Sequence, residues 1–167
     1  MSSGGDELTA RSYAGVAHGD QKYGVQPYSS HLAAVRAVLD DFGYGGDLGV
    51  AAWLHDVLED THVTREELES TFGLAVTELV WAVTGTGSSR MDRNEDMYRK
   101  VVRYPLAVIL KLADRIANVE ASVGTHWLSM YQGEHAEFRA RLGGSLIDED
   151  SVVRMWSRLD QAINIAG

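Results

Sequence analysis

The sequence predicts an all-α protein, folded as a single-domain helical bundle of about eight helices. Apolar residues recur at helical spacing along most of the chain, and only two prolines interrupt the pattern. No run alternates apolar with polar residues, as a half-buried strand would. With 167 residues, the chain has the length of one domain and can bury a core without covalent cross-links.

In the first half of the chain, glycine-containing stretches separate the predicted helices. Helices are predicted over residues 8–18, 28–41, 48–59 and 74–84. Loops are predicted over residues 19–27, 41–46 and 85–92. Thr64 followed by Glu67 makes a capping box, in which each side chain bonds the backbone N–H of the other. A short helix therefore begins at Thr64, and Gly73 ends it.

The second half of the chain continues the helical pattern. Helices are predicted over residues 93–103, 106–123, 126–142 and 151–163. The segment 106–123 is strongly apolar, so we expect it to be the most buried helix. Residues 1–6 precede the helical pattern and are expected to be disordered, as chain ends often are. The domain is then expected to span residues 7–167.

Composition narrows the classes of function. The chain has no cysteine, so any metal must be held by His, Asp or Glu. A formal net charge of −9 disfavours binding to nucleic acid or to an anionic membrane. No apolar stretch reaches the length of a membrane span, and the N-terminus lacks the pattern of a secretory signal. We expect a cytoplasmic protein that acts on a small molecule, in an oligomeric state that the sequence leaves open.

A cluster of ionisable residues interrupts an apolar helix. The sequence from His55 to Asp60 reads HDVLED. At about 100° per residue, His55, Asp56, Glu59 and Asp60 fall within an arc of about 140° on one helix face. Unpaired charges would be costly there, and a divalent cation would compensate them. The alternative is a solvated acidic helix end, and this segment alone supports both interpretations equally.

Two distant residues favour the metal. His31 lies early in the second helix, and Asp114 lies inside the apolar segment VILKLADRIANV, where a carboxylate needs a partner. Each has an ordinary alternative, a core or cap histidine for His31 and a salt bridge to Lys111 or Arg115 for Asp114. With the first two residues of HDVLED, they form a two-His, two-Asp set from three helices. Such a set suits Mn²⁺, Fe²⁺ or Zn²⁺, and helical bundles commonly build metal sites this way.

Three motifs carry a resemblance to a known family. PYSSH, HDVLED and KLADRIAN, in this order, resemble the hydrolase domain of RelA/SpoT homologues in the HD superfamily. The chain is most similar to the small single-domain alarmone hydrolases, from about residue 18 to residue 118 and more weakly beyond. The resemblance implies an HD-type bundle and metal-dependent hydrolysis of the 3′-pyrophosphate of ppGpp or pppGpp, giving GDP or GTP and pyrophosphate.

The resemblance also implies roles for individual residues. It implies a Mn²⁺ site, with another divalent metal as an option, made by His31, His55, Asp56 and Asp114. Glu59 and Asp60 match the acidic pair that activates the attacking water. Asn118 matches a residue near the sugar of the substrate, and Lys22 a basic residue that contacts the nucleotide. Tyr23 stands where the family has a second basic residue, which leaves the contact to the base open.

Other side chains are candidates for substrate contacts. Cations must offset the charge of a phosphorylated substrate, and Lys22, Arg90, Arg93 and Lys100 lie in flanking segments. For the last three, ordinary solvated surface is the alternative. Tyr131 could stack on a base or simply pack between helices. The tryptophans are expected to lie in the core or between helices.

Two further hypotheses stay open. An HD-type phosphatase acting on another nucleotide, such as the 2′-phosphate of NADPH, needs the same metal and the same acidic pair. A non-catalytic module that binds a nucleotide or a protein partner would be indicated by loss of a ligand or of an acidic residue. All six of these residues are present.

Overall fold

The computed structural model describes residues 4–165 and consists of helices and one small hairpin. The helices of the described residues are α1 Gly4–His18, α2 Ser29–Asp41, α3 Asp47–Leu54, α4 Val57–Asp60, α5 Arg65–Phe72, α6 Leu74–Val83, α7 Arg90–Val101, α8 Pro105–Ser122, α9 Trp127–Leu142 and α10 Asp150–Ile163. The predicted all-α class is confirmed. None of these helices is long and apolar enough to cross a membrane.

Helix α8 is the scaffold on which the site is built. It begins with Pro105, whose missing N–H costs nothing in the first turn of a helix. Leu110, Leu112 and Ile116 are fully buried, and α8 packs against α2, α6 and α10. This burial, predicted from the apolar sequence, gives the polar residues on α8 a rigid support.

The predicted loop between α1 and α2 contains an antiparallel hairpin. Strand β1, Lys22–Tyr23, pairs with strand β2, Gln26–Pro27, with Tyr23 opposite Gln26. Gly24 turns the chain at a φ of +60°, which glycine adopts without steric cost. Strands of two residues have no period to detect, so the sequence pattern could not predict them.

The continuous helix predicted over residues 48–59 is interrupted. Helix α3 ends at Leu54, and Asp56 has φ −105° and ψ 0°, outside the helical region. The Asp60 N–H bonds the Asp56 carbonyl at 2.9 Å, which restarts the helix as α4. The prediction was wrong because tertiary contacts of His55 and Asp56 outweigh the helical preference of the local sequence.

Three smaller expectations differ from the structure. Helix α7 begins at Arg90 rather than at residue 93, because Ser89 and Asp92 form a capping box that the sequence analysis missed. Trp127 was expected to pack between helices, but it is 55% exposed at the start of α9. Of the segment expected to be disordered, residues 1–3 lie outside the described residues, and α1 begins at Gly4.

Candidate functional site

The imidazoles and carboxylates nominated as metal ligands meet in one place. His31 comes from α2, His55 and Asp56 from the break between α3 and α4, and Asp114 from α8. Nε2 of His31 lies 3.1 Å from Oδ1 of Asp114. Nε2 of His55 lies 3.3 Å from the same oxygen and 3.0 Å from Oδ2 of Asp56. Three helical segments that are distant in the sequence therefore point their polar atoms at one another.

The tautomer of His55 bears on whether this set fits a cation. Its Nδ1 donates to the Ala52 carbonyl at 2.8 Å, so in the neutral ring it is Nε2 that carries the lone pair. This buried Nε2 has no hydrogen-bond partner and faces two carboxylate oxygens. A lone pair against carboxylates is repulsive, so this geometry favours a positive charge between them, either a proton on Nε2 or a metal ion. His31, His55 and Asp56 each offer a ligand atom, all within 4.8 Å of one another, so the residues present fit a divalent metal.

The pKa values in the cluster also reflect how close the basic groups and the carboxylates lie to one another. Burial disfavours the protonated His55 ring, but Asp56 and Asp114 raise its pKa well above the ordinary value. Burial opposes ionisation of Asp114, yet Lys111 and the two imidazoles hold its pKa well below the ordinary range. The site therefore favours ionised carboxylates and a positive charge close to them.

Asp114 is held from both sides. Nζ of Lys111 lies 2.9 Å from Oδ2, while Nδ2 of Asn118 donates to Oδ1 at 2.8 Å. The hydroxyl of Tyr23 in turn donates to Oδ1 of Asn118 at 2.7 Å. The salt bridge weighed as the alternative for Asp114 is thus present, but it uses the oxygen that faces away from the imidazoles. Oδ1 stays directed at His31.

Tyr28 is a contributor that the sequence analysis missed. Its hydroxyl donates to Oδ2 of Asp56, and its ring lies 4.6 Å from that of His18 and 5.7 Å from that of His31. The residue stands inside the PYSSH motif, which is the signal that could have identified it. It orients one of the candidate ligands.

The acidic pair lines the same cleft as the ligand cluster. Oε1 of Glu59 accepts from the Gly85 N–H at 2.8 Å, and Oδ2 of Asp60 accepts from Nε2 of Gln21 at 3.0 Å. Both carboxylates reach the mouth of the cleft. Even so, the surrounding protein and the nearby Asp56 raise the pKa of each. A carboxylate with a raised pKa is better suited to accept a proton.

Arginines from two helices border the cleft, which has a volume of about 220 Å³. Nη1 of Arg115 lies 2.9 Å from Oε2 of Glu134, and Nη2 of Arg90 lies 3.2 Å from the same oxygen. Both guanidiniums lie over the ring of Tyr131, at 5.1 Å and 5.7 Å. Arg93 lines the cleft as well. Helices α7, α8 and α9 are thereby tied together beside the site, with positive charge available to an anion.

Three other candidate residues lie outside the lining of the cleft: Lys22, Tyr23 and Lys100. Lys22 is exposed on the hairpin and is not among the residues that line the cleft. Tyr23 stacks on His31 with ring centroids 4.6 Å apart, so its ring packs against a candidate metal ligand. Nζ of Lys100 lies 2.8 Å from Oδ2 of Asp96 and also bonds the Thr84 carbonyl, so it is paired and mostly buried, away from the residues that line the cleft. Glu134 was missed altogether, because no motif marks it.

Comparison with known proteins places this arrangement in a family. The family described as HD domain matches residues 7–126. A guanosine-3′,5′-bis(diphosphate) 3′-pyrophosphohydrolase of Aquifex aeolicus is 37% identical over 117 residues, which cover 66% of this chain and 17% of that protein. The Danio rerio protein MESH1, which carries the same enzyme name, is 38% identical over 99 residues, 56% of this chain and 54% of its own length. This chain therefore spans only part of each relative.

Solved structures share the fold. One, described as a metazoan ortholog of SpoT that hydrolyzes ppGpp, superposes with a TM-score of 0.77 over 97% of this chain and 96% of its own, at 22% identity. A Listeria monocytogenes structure superposes with a TM-score of 0.68 over 82% of this chain and 93% of its own. At this level of identity, the likeness establishes the architecture.

Proposed function

The chain belongs to the HD domain family, and on that premise we propose that it is a metal-dependent phosphohydrolase. Its proposed reaction removes the 3′-pyrophosphate of ppGpp or pppGpp, giving GDP or GTP and pyrophosphate. One observation carries the proposal: two imidazoles and two carboxylates converge at the floor of the cleft that Glu59 and Asp60 line, with His55 buried beneath it. The enzyme names of the relatives support this choice of substrate. We assign the activity to a single domain over residues 7–167.

The metal would be held by the converging side chains. We assign the ligands as His31, His55, Asp56 and Asp114, and the metal as Mn²⁺. Bound there, a divalent cation offsets charge on phosphoryl oxygens and acidifies water. The mixed nitrogen and carboxylate donors also admit Fe²⁺ or Zn²⁺.

We assign to Glu59 and Asp60 the activation of the attacking water. Glu59, held by the Gly85 N–H, accepts the proton of the attacking water, and Asp60 helps to orient that water. Attack at the phosphorus bonded to the 3′ oxygen breaks that P–O bond. The 3′ oxygen takes a proton and leaves as a hydroxyl, and pyrophosphate is released.

The substrate contacts follow from the borders of the cleft. Asn118, between Asp114 and Tyr23, is assigned to the sugar. Arg90 is assigned to phosphate groups, since it can exchange part of its pairing with Glu134 for another anion. The ring of Tyr131 is a surface on which a base can stack. Asn118, Arg90 and Tyr131 line the cleft, and the hairpin residues Lys22 and Tyr23 remain candidates for nucleotide contacts from outside its lining.

Product analysis tests the proposal. Purified protein loaded with Mn²⁺ is incubated with ppGpp, and Asp56→Ala serves as the control. GDP and pyrophosphate from the wild type alone support the assignment. Orthophosphate from NADPH, with ppGpp left intact, would favour the phosphatase alternative. Nucleotide binding without turnover, unchanged in Glu59→Ala, would favour the binding module.

A further inference from the structure

A hydrogen-bonded chain outside the ligand cluster leads to the acidic pair. His18, at the end of α1, is 8% exposed, and its Nδ1 lies 2.8 Å from Oε1 of Gln21. Nε2 of Gln21 donates to Oδ2 of Asp60 at 3.0 Å. These three residues connect the end of α1, the approach to the hairpin and the end of α4.

The chemistry of the groups sets the direction of each bond in this chain. An ionised Asp60 only accepts, so the NH₂ end of the Gln21 amide must face it. The amide oxygen then faces His18, and the ring must present a hydrogen on Nδ1. The amide is therefore fixed from both ends, because Asp60 accepts from its NH₂ and His18 donates to its oxygen.

The second nitrogen of His18 supports this assignment. Its Nε2 is buried and has no hydrogen-bond partner among the described residues. Burying a polar atom without a partner is costly, and a phenyl ring would fill the same space without that cost. The histidine contributes something a phenyl ring lacks, the donor to Gln21.

The same ring also supports the neighbouring carboxylate. His18 packs against Tyr28 at 4.6 Å between ring centroids, and the Tyr28 hydroxyl donates to Asp56. His18 thus supports two carboxylates indirectly. It contacts Gln21, which bonds Asp60, and it contacts Tyr28, which bonds Asp56.

We propose that Gln21 is a positioning residue that holds the Asp60 carboxylate where it lines the cleft, and that His18 holds the Gln21 amide in place by donating to its oxygen. The inference rests on the proposed function, because it assigns a role within the same hydrolytic site. Neither residue touches the substrate in this scheme.

The first test replaces Gln21 by methionine, which has a similar volume but bonds neither Asp60 nor His18. Gln21→Met should lower kcat for ppGpp about ten- to hundredfold, the usual effect of losing a partner behind a site. KM and the Kd for Mn²⁺ should stay unchanged, while the melting temperature should fall by about 2 to 10 °C because the buried Nδ1 of His18 loses its partner. Asp20→Asn, on an exposed neighbour, should keep full activity. A fully active Gln21→Met would overturn the proposal, and so would a loss of activity explained by unfolding at the assay temperature or by a weaker Kd for Mn²⁺.

The second test concerns the donor. His18→Phe should lower kcat as Gln21→Met does, while His18→Gln, whose NH₂ can donate to the Gln21 oxygen, should recover part of the loss. Equal activity of the two His18 variants would contradict the role of the donor.

The third test does not depend on turnover. ¹⁵N NMR of the histidine rings should give the Nδ1–H tautomer for His18 in the wild type, shifting toward Nε2–H in Gln21→Met. A wild type that hydrolyses no nucleotide would end the proposed function. The tautomer of His18 would then test the hydrogen-bonded chain from His18 through Gln21 to Asp60 by itself. Nδ1–H would support that chain, and Nε2–H would overturn it.

Discussion

Nε2 of His55 lies 3.3 Å from Oδ1 of Asp114, although the two residues belong to different helical segments. Both are buried, and the second nitrogen of His55 is already committed to the Ala52 carbonyl. The close approach of Nε2 and a carboxylate favours positive charge at this point, which is a proton in the metal-free protein and a cation when metal binds. The first prediction tests whether a metal ion takes that place.

Metal binding should stabilise the fold. Because the ligands come together only in the folded protein, Mn²⁺ at a hundredfold excess over its Kd should stabilise the fold by about 2.7 kcal/mol. For a domain of this size, that corresponds to a melting temperature raised by about 5 to 10 °C, relative to protein in EDTA. Differential scanning fluorimetry measures the shift.

The control for this prediction is His55→Gln, which removes one of the proposed ligands. Its melting temperature should respond little to Mn²⁺. If the variant and the wild type responded equally to the metal, the cation would bind elsewhere and the ligand assignment would be wrong.

Glu59 should be needed for turnover and not for metal binding. Glu59→Gln keeps the bond from the Gly85 N–H but cannot take a proton, so kcat should fall about 10²- to 10⁴-fold. The Kd for Mn²⁺, measured by calorimetry, should change little. Glu66→Gln, on an exposed carboxylate of α5, is the matched control and should be fully active. An active Glu59→Gln would remove Glu59 from the mechanism.

Tyr28 should matter through its hydroxyl. Tyr28→Phe keeps the ring beside His18 and His31 and removes the donor to Asp56. Losing a group that orients a ligand typically weakens metal affinity about 10- to 100-fold. Titration with Mn²⁺ gives the Kd, and affinity equal to the wild type would show that Asp56 does not depend on this bond.

Lys111 should stabilise the fold through Asp114. Lys111→Met leaves Oδ2 of Asp114 without its partner, and breaking a buried ion pair is strongly destabilising. We expect a loss of roughly 3 kcal/mol, at the lower end of the usual range, because the lysine side chain is 18% exposed to the cleft. Urea unfolding without metal measures it. Lys111→Met with Asp114→Asn should recover part of the loss, and additive effects would argue against the pairing.

The capping box at α5 offers a stability change remote from the chemistry. Thr64 accepts from the Glu67 N–H, while the Glu67 side chain accepts from the Thr64 N–H. Thr64→Ala should lower the free energy of unfolding by about 1 kcal/mol and leave kcat and the Kd for Mn²⁺ unchanged. An effect on kcat would mean that α5 is coupled to the cleft.

Much of the fold could be predicted from local pattern. Periodic apolar residues identified the helices, and the Thr64 capping box was located from four residues of sequence, because both signals depend on near neighbours in the chain. The hairpin and the break at Asp56 escaped prediction. Two-residue strands have no period, and the break is imposed by contacts with other helices.

The sequence by itself determined the fold class, a helical bundle, and the chemical groups of the site. These groups are the imidazoles and carboxylates of three motifs and the acidic pair beside them. Only the tertiary structure decided how they meet. The bonds from Tyr28 to Asp56, from Gln21 to Asp60 and from Arg90 to Glu134 join residues far apart in the chain. No local spacing specifies such pairs, because side chains on different helices come within hydrogen-bond distance only when the packing of the core sets the position of each helix.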